Sequence, residues 1–531
     1  MTNLLIEVIT LVFGLIKGIY SYLTDLLQRR SVANKSLEHD IVLITGAASG
    51  IGREMCLSLA LKVKKVIAVD LNKPGLSRLL REIPSIETYT CDLRDFEKIK
   101  EMRFLLTKKF GRITLLICNA GVWSSTSLLS GNENSFLDTI RVNYISQAIL
   151  LREFLPIMLG NEISKYPKCS NLSVAFDAPP KGHVVIVTSI AGQVPSALMS
   201  DYCSSKAGSI SLLECLREEL KLANLQTAIK TTNVMPYLID TSLFDRINPM
   251  FPKIFPVLKK TDVAKRIIEA IHRNEEEVYI VMMKIVYEFG LVLLNAVYGL
   301  GLYALQRVFR QKEMKNLTDE VVLITGAGLG LGRQLALDLS SRCSKFVLVD
   351  INESGLQSLQ EEMKLINKSI RVVAAKCDVT NTSDVDRVVD LANKEFGCVT
   401  LLISNAGIVC GKYLLSQSDE EFSRVQRIMR RLLPQMLGNK LPMYPGLKGN
   451  KVLVDREARG HLVMINSIAG HFCTPGLGEY CASKAGAVML CESLRNELRI
   501  GGLSKSIKTT NVMPYFIDTG MFDGVDLKYV L

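Results

Sequence analysis

The sequence has few of the residues that build metal sites or disulfide frameworks. It holds five histidines and thirteen cysteines in 531 residues, and no two cysteines form a Cys-x-x-Cys pair. An odd number of scattered cysteines is not the pattern of a disulfide framework, and histidines this sparse do not indicate a zinc site. We therefore predict a chain without a bound metal ion.

Long tracts of one charge are also missing. Lys and Arg exceed Asp and Glu by 11, but the basic residues are scattered and are not interleaved with aromatic residues in any tract. Such a distribution predicts no nucleic-acid partner. An apolar fraction of 48% excludes a disordered chain, and 531 residues are more than one hydrophobic core usually supports.

The chain does contain a long internal repeat. IVLITGAASGIGR from Ile41 recurs as VVLITGAGLGLGR from Val321, an offset of 280. Further matching strings follow in order, ending with TTNVMPYLIDTSLF and its counterpart TTNVMPYFIDTGMF. A period of this length is a whole domain, so we predict two tandem copies of one domain.

A strongly apolar segment precedes each copy, in agreement with a mean hydropathy of +0.22. Residues 1–27 carry few charges and residues 289–305 carry none. Both segments are at the lower edge of the length that crosses a membrane. Because basic residues follow both, we expect hairpin or monotopic insertion, with both copies in the cytosol. A secretory signal for the first segment and a core helix for the second are the alternatives.

Short runs of Val, Ile and Leu alternate with helical periodicity inside each copy. In the first copy these runs begin at positions 41, 65, 113, 183, 227 and 278. Continuous apolar strands separated by helices predict a parallel sheet with helices on both faces. The predicted fold class is therefore α/β.

A glycine-rich turn after the first strand indicates dinucleotide binding. Gly46, Gly50 and Gly52 let the backbone turn tightly and approach a pyrophosphate at the start of a helix, which we expect from Arg53. Asp70 ends the next strand, where a carboxylate accepts hydrogen bonds from ribose hydroxyls and repels a 2′-phosphate. We predict NAD rather than NADP, although a glycine turn alone is as often a structural loop. The second copy repeats these positions at Gly326, Gly330, Gly332 and Asp350.

A tyrosine and a lysine stand one helical turn apart in each copy. Tyr202 and Lys206 would share a helix face, where an ammonium stabilises a phenolate and lowers the pKa of the phenol. Most such pairs are ordinary surface pairs, but Ser189 ends a strand thirteen residues earlier. The second copy keeps the same spacing with Ser467, Tyr480 and Lys484.

Taken in order, these motifs resemble the short-chain dehydrogenase/reductase family. The glycine-rich turn, an Asn-Ala-Gly after a central strand, the Ser, the Tyr-x-x-x-Lys pair and a Pro after the sixth strand occur in both copies. The resemblance implies a Rossmann-type, seven-stranded doubly wound sheet in each copy and hydride transfer between an alcohol and NAD. It makes Tyr202 the acid/base and Lys206 its partner, which also contacts the nicotinamide ribose. Ser189 is implied to donate a hydrogen bond to the reacting oxygen, and Asn143 to relay protons.

The resemblance also implies the residues that hold the cofactor. Asp92 is expected to contact adenine, and the Asn-Ala-Gly motif to line the adenosine ribose. The first-copy set is Gly46, Ser49, Gly50, Ile51, Gly52, Asp70, Asp92, Asn119, Ala120, Gly121, Tyr202, Lys206 and Thr241. The second-copy set is Gly326, Gly330, Leu331, Gly332, Asp350, Asp378, Asn405, Ala406, Gly407, Tyr480, Lys484 and Thr519.

Among subfamilies, the apolar segments and the strings VDLNKPGL and MPYLIDT look like membrane-bound retinol dehydrogenases and 17-beta-hydroxysteroid dehydrogenases. This implies a lipophilic substrate such as retinol, a hydroxysteroid or a fatty alcohol. It also implies the endoplasmic reticulum membrane or a lipid droplet, with the catalytic domains facing the cytosol. Residues 244–257 match the position of a substrate lid, or they simply pack the fold.

The second copy departs from the family pattern. Aligning Phe136 with Phe422 and Pro156 with Pro434 leaves it eight residues shorter, without a counterpart of Asn143. Only twelve residues follow Thr519, so a last helix and strand are also missing. We expect an active first copy and an impaired second copy, pairing either with each other or as a homodimer of chains. An incomplete gene model is the alternative.

The predicted organisation has four parts. They are an anchor at 1–38, the first dehydrogenase copy at 39–281, a second membrane-associated segment at 282–316 and the second copy at 317–531. The segment between Pro156 and Gly182, like that between Pro434 and Gly460, is expected to be a surface insertion, and we assign it no function. A non-catalytic scaffold that keeps the nucleotide fold, on a membrane or a lipid droplet, is the competing hypothesis for the whole protein.

Overall fold

The structure is a computed structural model. It describes residues 35–124, 127–129, 133–167, 181–244, 257–280, 315–407, 428–437, 443–444, 457–515, 517 and 519. Both apolar segments predicted to associate with a membrane lie outside these residues. Among the described residues, no helix combines the length and the hydropathy that crossing a membrane requires.

The first copy is a seven-stranded, wholly parallel sheet in the order β3-β2-β1-β4-β5-β6-β7. Its strands are β1 Ile41–Thr45, β2 Lys65–Asp70, β3 Glu87–Thr90, β4 Leu115–Cys118, β5 Gly182–Val187, β6 Ile229–Pro236 and β7 Glu277–Ile280. Its helices are α1 Gly50–Leu59, α2 Lys73–Glu82, α3 Phe96–Phe110, α4 Glu133–Ile140, α5 Ser146–Leu159, α6 Ser200–Leu222 and α7 Lys260–Arg273. The predicted doubly wound sheet is confirmed.

The second copy repeats this arrangement in the described residues with six parallel strands, in the order β10-β9-β8-β11-β12-β13. Its strands are β8 Val321–Thr325, β9 Lys345–Asp350, β10 Arg371–Lys376, β11 Leu401–Ser404, β12 Gly460–Ile465 and β13 Ile507–Val512. Its helices are α8 Gly330–Ser340, α9 Glu353–Ile366, α10 Thr382–Phe396, α11 Ile428–Leu437 and α12 Gly478–Ile500.

The apolar runs form central strands because both faces of the sheet are covered. In β1, Leu43 packs into the core on one face, and Val42 and Ile44 pack into the core on the other. Successive side chains of a strand point to opposite faces, so a strand buried on both sides needs an unbroken apolar run. Full burial of each such side chain contributes about 1.5–3 kcal/mol. Helices α1 and α7 cover the second face, where Val263 and Ile267 of α7 are fully buried.

Three local predictions need correction. The helix after the glycine turn begins at Gly50, not at Arg53, so the last two glycines lie in its first turn. The edge strand β3 has the sequence ETYT and carries no apolar run, so the sequence pattern missed it. The segment after Pro156 is not a surface insertion throughout, since Ile163 and Tyr166 are buried in the core of the first copy.

The two copies contact each other along α6 and α12, which run in opposite directions. Leu198, just before α6, donates its backbone N–H to Glu497 near the end of α12 at 3.2 Å. In the mirrored position, Gly476 before α12 donates to Glu219 near the end of α6 at 3.4 Å. The same exchange relates Cys203, which faces Ser493, and Cys481, which faces Cys215. The contact therefore follows a pseudo-twofold axis.

Candidate active site

The turn between β1 and α1 forms a cradle that only glycine can build. Gly46 has φ +67°, and a Cβ there would lie 2.8 Å from the Cα of Ala120. A Cβ on Gly52 would lie 2.2 Å from the carbonyl oxygen of Gly46. Ser49, at the N-cap of α1, makes no side-chain hydrogen bond to the first turn. This side chain therefore leaves the backbone N–H groups of that turn uncapped. Anion binding at a helix N-terminus requires such uncapped N–H groups.

Asp70 stands at the end of β2, beside this cradle. One of its carboxylate oxygens accepts from the N–H of Ala48 at 2.9 Å and the other from the N–H of Asn72 at 2.8 Å. A carboxylate oxygen can accept more than one hydrogen bond, so the fixed group retains acceptor capacity towards the cavity. Asp92 also faces the cavity, and its hydrogen bond with Arg94 lowers the pKa of its carboxyl group.

A cavity of about 670 Å³ at the carboxyl ends of the strands joins the cradle to the predicted catalytic residues. Its walls include most of the predicted first-copy residues, namely Gly46, Ser49, Gly50, Ile51, Asp70, Asp92, Asn119, Ala120, Gly121, Ser189, Tyr202, Lys206 and Thr241. Gly52 and Asn143 lie behind the wall and support it. Asn119 also supports the turn, donating to the carbonyl oxygens of Thr45 at 2.9 Å and Gly46 at 3.3 Å.

Three of the predicted catalytic side chains converge in this cavity. Ser189 follows β5 and caps a short 3₁₀ turn, where its Oγ accepts from the N–H of Ala191 at 3.1 Å. Tyr202 lies in the first turn of α6. Lys206 follows one turn later, with its Nζ 5.5 Å from the centroid of the tyrosine ring. The Nζ also donates to the carbonyl oxygen of Val187 at 2.8 Å, which fixes the ammonium at the end of β5.

Burial acts strongly on both titratable groups. It raises the pKa of Tyr202, and a hydrogen bond with Ser189 opposes that increase. It lowers the pKa of Lys206 to about 8. Burial disfavours the charged form of each group, phenolate in one case and ammonium in the other. The expected lowering of the phenol pKa by Lys206 stays a prediction.

Asn143 lies in a π-helical turn, Arg141–Ile145, between α4 and α5. Its side chain forms hydrogen bonds with the backbone of Val122 and with Ser205. Its Oδ1 accepts from the N–H of Val122 at 2.7 Å, and its Nδ2 donates to the carbonyl oxygen of Val122 at 2.8 Å. π-helical turns are frequent at functional sites. Here the turn brings Asn143 against the cavity wall, and its predicted relay role stays a prediction.

Two aromatic residues that the motifs did not indicate complete the cavity. The rings of Trp123 and Phe244 have centroids 5.8 Å apart, and Phe244 meets Tyr202 edge-on at 5.7 Å. The Nε1 atom of Trp123 is buried without a hydrogen-bond partner. The signal available in the sequence was that Trp123, the single tryptophan of the chain, follows the Asn-Ala-Gly motif by two residues.

The second copy reproduces the cradle and the catalytic helix. Asp350 accepts from the N–H groups of Gly328 and Asn352, both at 2.8 Å. Lys484 donates to the carbonyl oxygen of Ile465 at 3.1 Å, and its Nζ lies 5.5 Å from the ring centroid of Tyr480. Burial raises the pKa of Tyr480, and a hydrogen bond with Ser467 opposes this.

The remaining predicted residues of the second copy differ in how much of their surroundings the structure describes. Asn405 supports the turn as Asn119 does, Thr519 contacts Gly330, and Gly407 approaches Lys484. Asp378 follows β10 and accepts from the N–H of Thr380 at 2.8 Å. By the alignment of Phe136 with Phe422 and of Pro156 with Pro434, the region that corresponds to Asn143 lies between positions 422 and 434, and its first part, up to residue 427, lies outside the described residues. No group of residues suited to a metal ion occurs in the described part of the chain.

Comparison with known proteins places this site in context. The family model described as short chain dehydrogenase matches residues 40–251 and 320–529. The "Short-chain dehydrogenase/reductase family 16C member 6" of Bos taurus is 41% identical over 222 residues, which are 41% of this chain and 66% of the relative. "Epidermal retinol dehydrogenase 2" of Homo sapiens is 40% identical over 223 residues, 40% of this chain and 65% of the relative. "Retinol dehydrogenase 10" of Xenopus tropicalis is 32% identical over 277 residues, 46% of this chain and 75% of the relative. The alignment thus spans just under two thirds of the length of the first two relatives.

Proposed function

The chain belongs to the short-chain dehydrogenase family, in two tandem copies, and on that premise we propose that it is an NAD-dependent alcohol dehydrogenase. The first copy carries the activity, and the substrate is a lipophilic alcohol that is interconverted with its aldehyde or ketone. The observation that carries this proposal is the convergence of Ser189, Tyr202 and Lys206 on one cavity with the glycine cradle.

The residues of the cradle fit a nicotinamide dinucleotide. Gly46 and Gly50 present bare backbone to the cavity at the positive end of α1, where a pyrophosphate would bind. The carboxylate of Asp70 is held by two backbone amides and faces the cavity, where it would bind ribose hydroxyls and repel a 2′-phosphate. This supports NAD over NADP. The bound dinucleotide supplies the hydride acceptor for oxidation and the hydride donor for reduction.

The side chains around Tyr202 support its role as the acid/base. In oxidation the phenolate oxygen would take the proton from the hydroxyl oxygen of the alcohol while a hydride leaves the carbon that bears this hydroxyl group, and in reduction the phenol would return the proton to the carbonyl oxygen. Ser189, hydrogen-bonded to Tyr202, is placed to donate to the reacting oxygen. Lys206, fixed by Val187, holds a positive charge near the phenol. A positive charge at this distance favours phenolate and so opposes the effect of burial.

The substrate class is proposed from the wall of the cavity and from the names of the relatives. Trp123, Val142, Leu243 and Phe244 give the substrate side an apolar and aromatic surface. Two of the three relatives described above are retinol dehydrogenases by name. Retinol is therefore the first substrate to test, with a hydroxysteroid and a fatty alcohol as the next candidates.

The second copy is proposed to bind the cofactor but to turn over substrate poorly. The second copy repeats the glycine cradle of the first, and it has counterparts of the first copy's Ser, Tyr and Lys in Ser467, Tyr480 and Lys484. The sequence offers no counterpart of Asn143, which in the first copy ties the wall residue Val122 to α6 through Ser205. A less well held wall is expected to lower turnover more than cofactor affinity.

The apolar segments support a further proposal on localisation. Residues 1–27 and 289–305 would attach the chain to the endoplasmic reticulum membrane or to a lipid droplet, with both copies in the cytosol. This arrangement brings a lipophilic alcohol to the cavity from the bilayer.

The test is NADH formation by membranes that carry the full chain, with all-trans-retinol and 17β-estradiol as substrates. The wild type is compared with Tyr202→Phe and with the matched variant Tyr480→Phe, and NADP is offered in parallel. We expect Tyr202→Phe to lower turnover at least a hundredfold, in the range of general acid/base catalysis, and Tyr480→Phe to change it less than twofold.

Each other outcome is informative. Equal losses in the two variants would contradict a single active copy. Faster turnover with NADP would contradict the role given to Asp70. Absence of activity in every protein with either cofactor would favour the non-catalytic scaffold hypothesis.

A further inference from the structure

Glu497 of the second copy makes contacts that reach into the first copy. The side chain is fully buried on α12. Its Oε1 accepts from the N–H of Leu198 at 3.2 Å and from the Oγ of Ser200 at 3.3 Å. Its Oε2 accepts from the N–H of Leu128 at 3.2 Å and from the Oη of Tyr444. Three of these four donors belong to the other copy.

The first two donors lead directly into the catalytic helix. Ser200 is the first residue of α6, two positions before Tyr202. Leu198 has φ +66°, in the left-handed region that a branched side chain rarely adopts. Gly476 holds the mirrored position in the second copy with φ +75°, where no Cβ opposes that conformation. The carboxylate of Glu497, which belongs to the second copy, thus stabilises the strained backbone conformation of Leu198.

The third donor leads to the opposite wall of the cavity. Leu128 lies five residues after Trp123, and its own side chain is buried in the core of the second copy. Phe136 of α4 is buried in the same core. The segment that follows Trp123 is therefore anchored by packing and by a hydrogen bond to the same carboxylate. One buried side chain therefore accepts hydrogen bonds both from the entry to α6 and from Leu128.

We propose that Glu497 is a positioning residue through which the second copy organises the active site of the first. It fixes the entry to α6, and so the placement of Tyr202, relative to the wall that carries Trp123. Asn496 adds a neighbouring contact in the same direction, donating from Nδ2 to the carbonyl oxygen of Pro195 at 3.1 Å. The inference rests on the proposed function for its kinetic readout only.

Glu219 is the matched control on the pseudo-twofold axis. It is equally buried, it hydrogen-bonds Tyr166 as Glu497 hydrogen-bonds Tyr444, and it accepts from the N–H of Gly476. Its contact across the copies leads to the second catalytic helix. Replacing either Glu219 or Glu497 therefore removes a buried carboxylate from the interface. Only the replacement of Glu497 also removes the contact with the residues that precede Tyr202.

The experiment uses the full chain with Glu497→Gln, Glu219→Gln and the conservative Glu497→Asp. Glutamine turns one of the two acceptor oxygens into a donor, so one pair of partners loses its acceptor. Kinetics are measured for alcohol oxidation with NAD, and the emission of Trp123 reports its surroundings without interference, because the chain has one tryptophan. We expect Glu497→Gln to lower kcat about tenfold with the KM for NAD unchanged, and to shift the emission to longer wavelength. Glu219→Gln should change neither, and Glu497→Asp should recover part of both.

Equal effects of Glu497→Gln and Glu219→Gln on kcat and on emission would overturn the proposal, since the carboxylates would then serve only the interface. An unchanged emission and kcat in Glu497→Gln would do the same. If Glu497→Gln fails to fold, Ser200→Ala removes one donor, and the same emission shift decides. If the wild type oxidises no alcohol, the proposed function fails, and the emission of Trp123 still tests the positioning role.

Discussion

Tyr202 is subject to two opposing influences that set the pH dependence of its chemistry. Burial raises the pKa of the phenol, whereas a hydrogen bond with Ser189 lowers it. Oxidation needs the deprotonated phenol, and reduction needs the protonated one. Because burial raises the pKa, the phenol is mostly protonated at neutral pH before substrate and cofactor bind.

We therefore expect kcat/KM for alcohol oxidation to rise with pH between about 6 and 9, the range below a raised phenol pKa. Ser189→Ala removes a hydrogen bond that lowers the pKa of Tyr202, so its profile should move to higher pH as well as falling in height. The measurement is the pH profile of kcat/KM for both proteins. A flat wild-type profile, or a Ser189→Ala profile that falls without moving, would show that another group controls the rate.

At the residue scale, the sequence indicates a candidate residue most clearly where that residue acts with its neighbours along the chain. Ser189, Tyr202 and Lys206 occur within eighteen positions, so insertions or deletions elsewhere in the chain do not alter their spacing. Trp123 is indicated only by its place two residues after the Asn-Ala-Gly motif, and Glu497 contacts residues about 300 positions away. No local pattern encodes such a contact, because only the packing of α6 on α12 brings the partners together.

At the scale of elements, the turn from β1 to α1 offers a direct comparison of the two copies. Gly46 and Gly326 have φ +67° and +66°, and a Cβ would lie 2.8 Å and 3.0 Å from the facing alanine Cα. We expect Gly46→Ala to abolish alcohol oxidation, because the added methyl group displaces the cradle in the copy proposed to be active. Gly326→Ala carries nearly the same strain, about 1–2 kcal/mol for a left-handed residue, in the copy proposed to be impaired.

The measurement is NAD-dependent turnover at a temperature where both variants are folded, with thermal unfolding recorded alongside. Gly326→Ala should retain more than half of the wild-type rate. A loss in Gly326→Ala as large as that in Gly46→Ala would mean that cofactor binding in the second copy is needed for activity.

Most elements were predictable, and the exceptions have physical reasons. The six apolar runs of the first copy became β1, β2, β4, β5, β6 and β7. Of these, β1, β2, β4 and β5 are central and almost wholly buried, and a strand buried on both faces needs continuous apolar sequence. The edge strand β3 pairs with β2 alone and is largely half-buried, so its polar sequence ETYT gave no signal. The start of α1 at Gly50 was missed because glycine is a poor helix former, and the turn geometry imposed by close packing decides there.

At the scale of the whole molecule, the two copies share buried structure. Leu128 and Phe136 of the first copy lie in the core of the second, and Ala482 of the second lies in the core of the first. Neither core is complete by itself. We therefore expect the described domains to unfold together in one cooperative transition.

Gly486 allows this to be tested, because a Cβ there would lie 3.2 Å from the carbonyl oxygen of Ser204 across the interface. Gly486→Leu should lower stability by about 1–3 kcal/mol, as overpacking does, and split the calorimetric transition into two. Gly478→Ala, whose Cβ would meet Cys215 at 3.5 Å, is the control that should leave one transition. Two transitions already present in the wild type would show that the copies unfold independently.

The pseudo-twofold contact between α6 and α12 joins two copies that can differ in sequence. A homodimer must place the same residue on both sides of its axis, so every substitution appears twice. Here Cys203 faces Ser493 while Cys215 faces Cys481, and the strained Leu198 stands opposite Gly476. Covalent linkage keeps the partner at a fixed high local concentration at any dilution. One copy can therefore acquire substitutions that serve catalysis while the other acquires different substitutions that support the fold of the first. Two identical chains cannot divide these roles, because each substitution occurs in both.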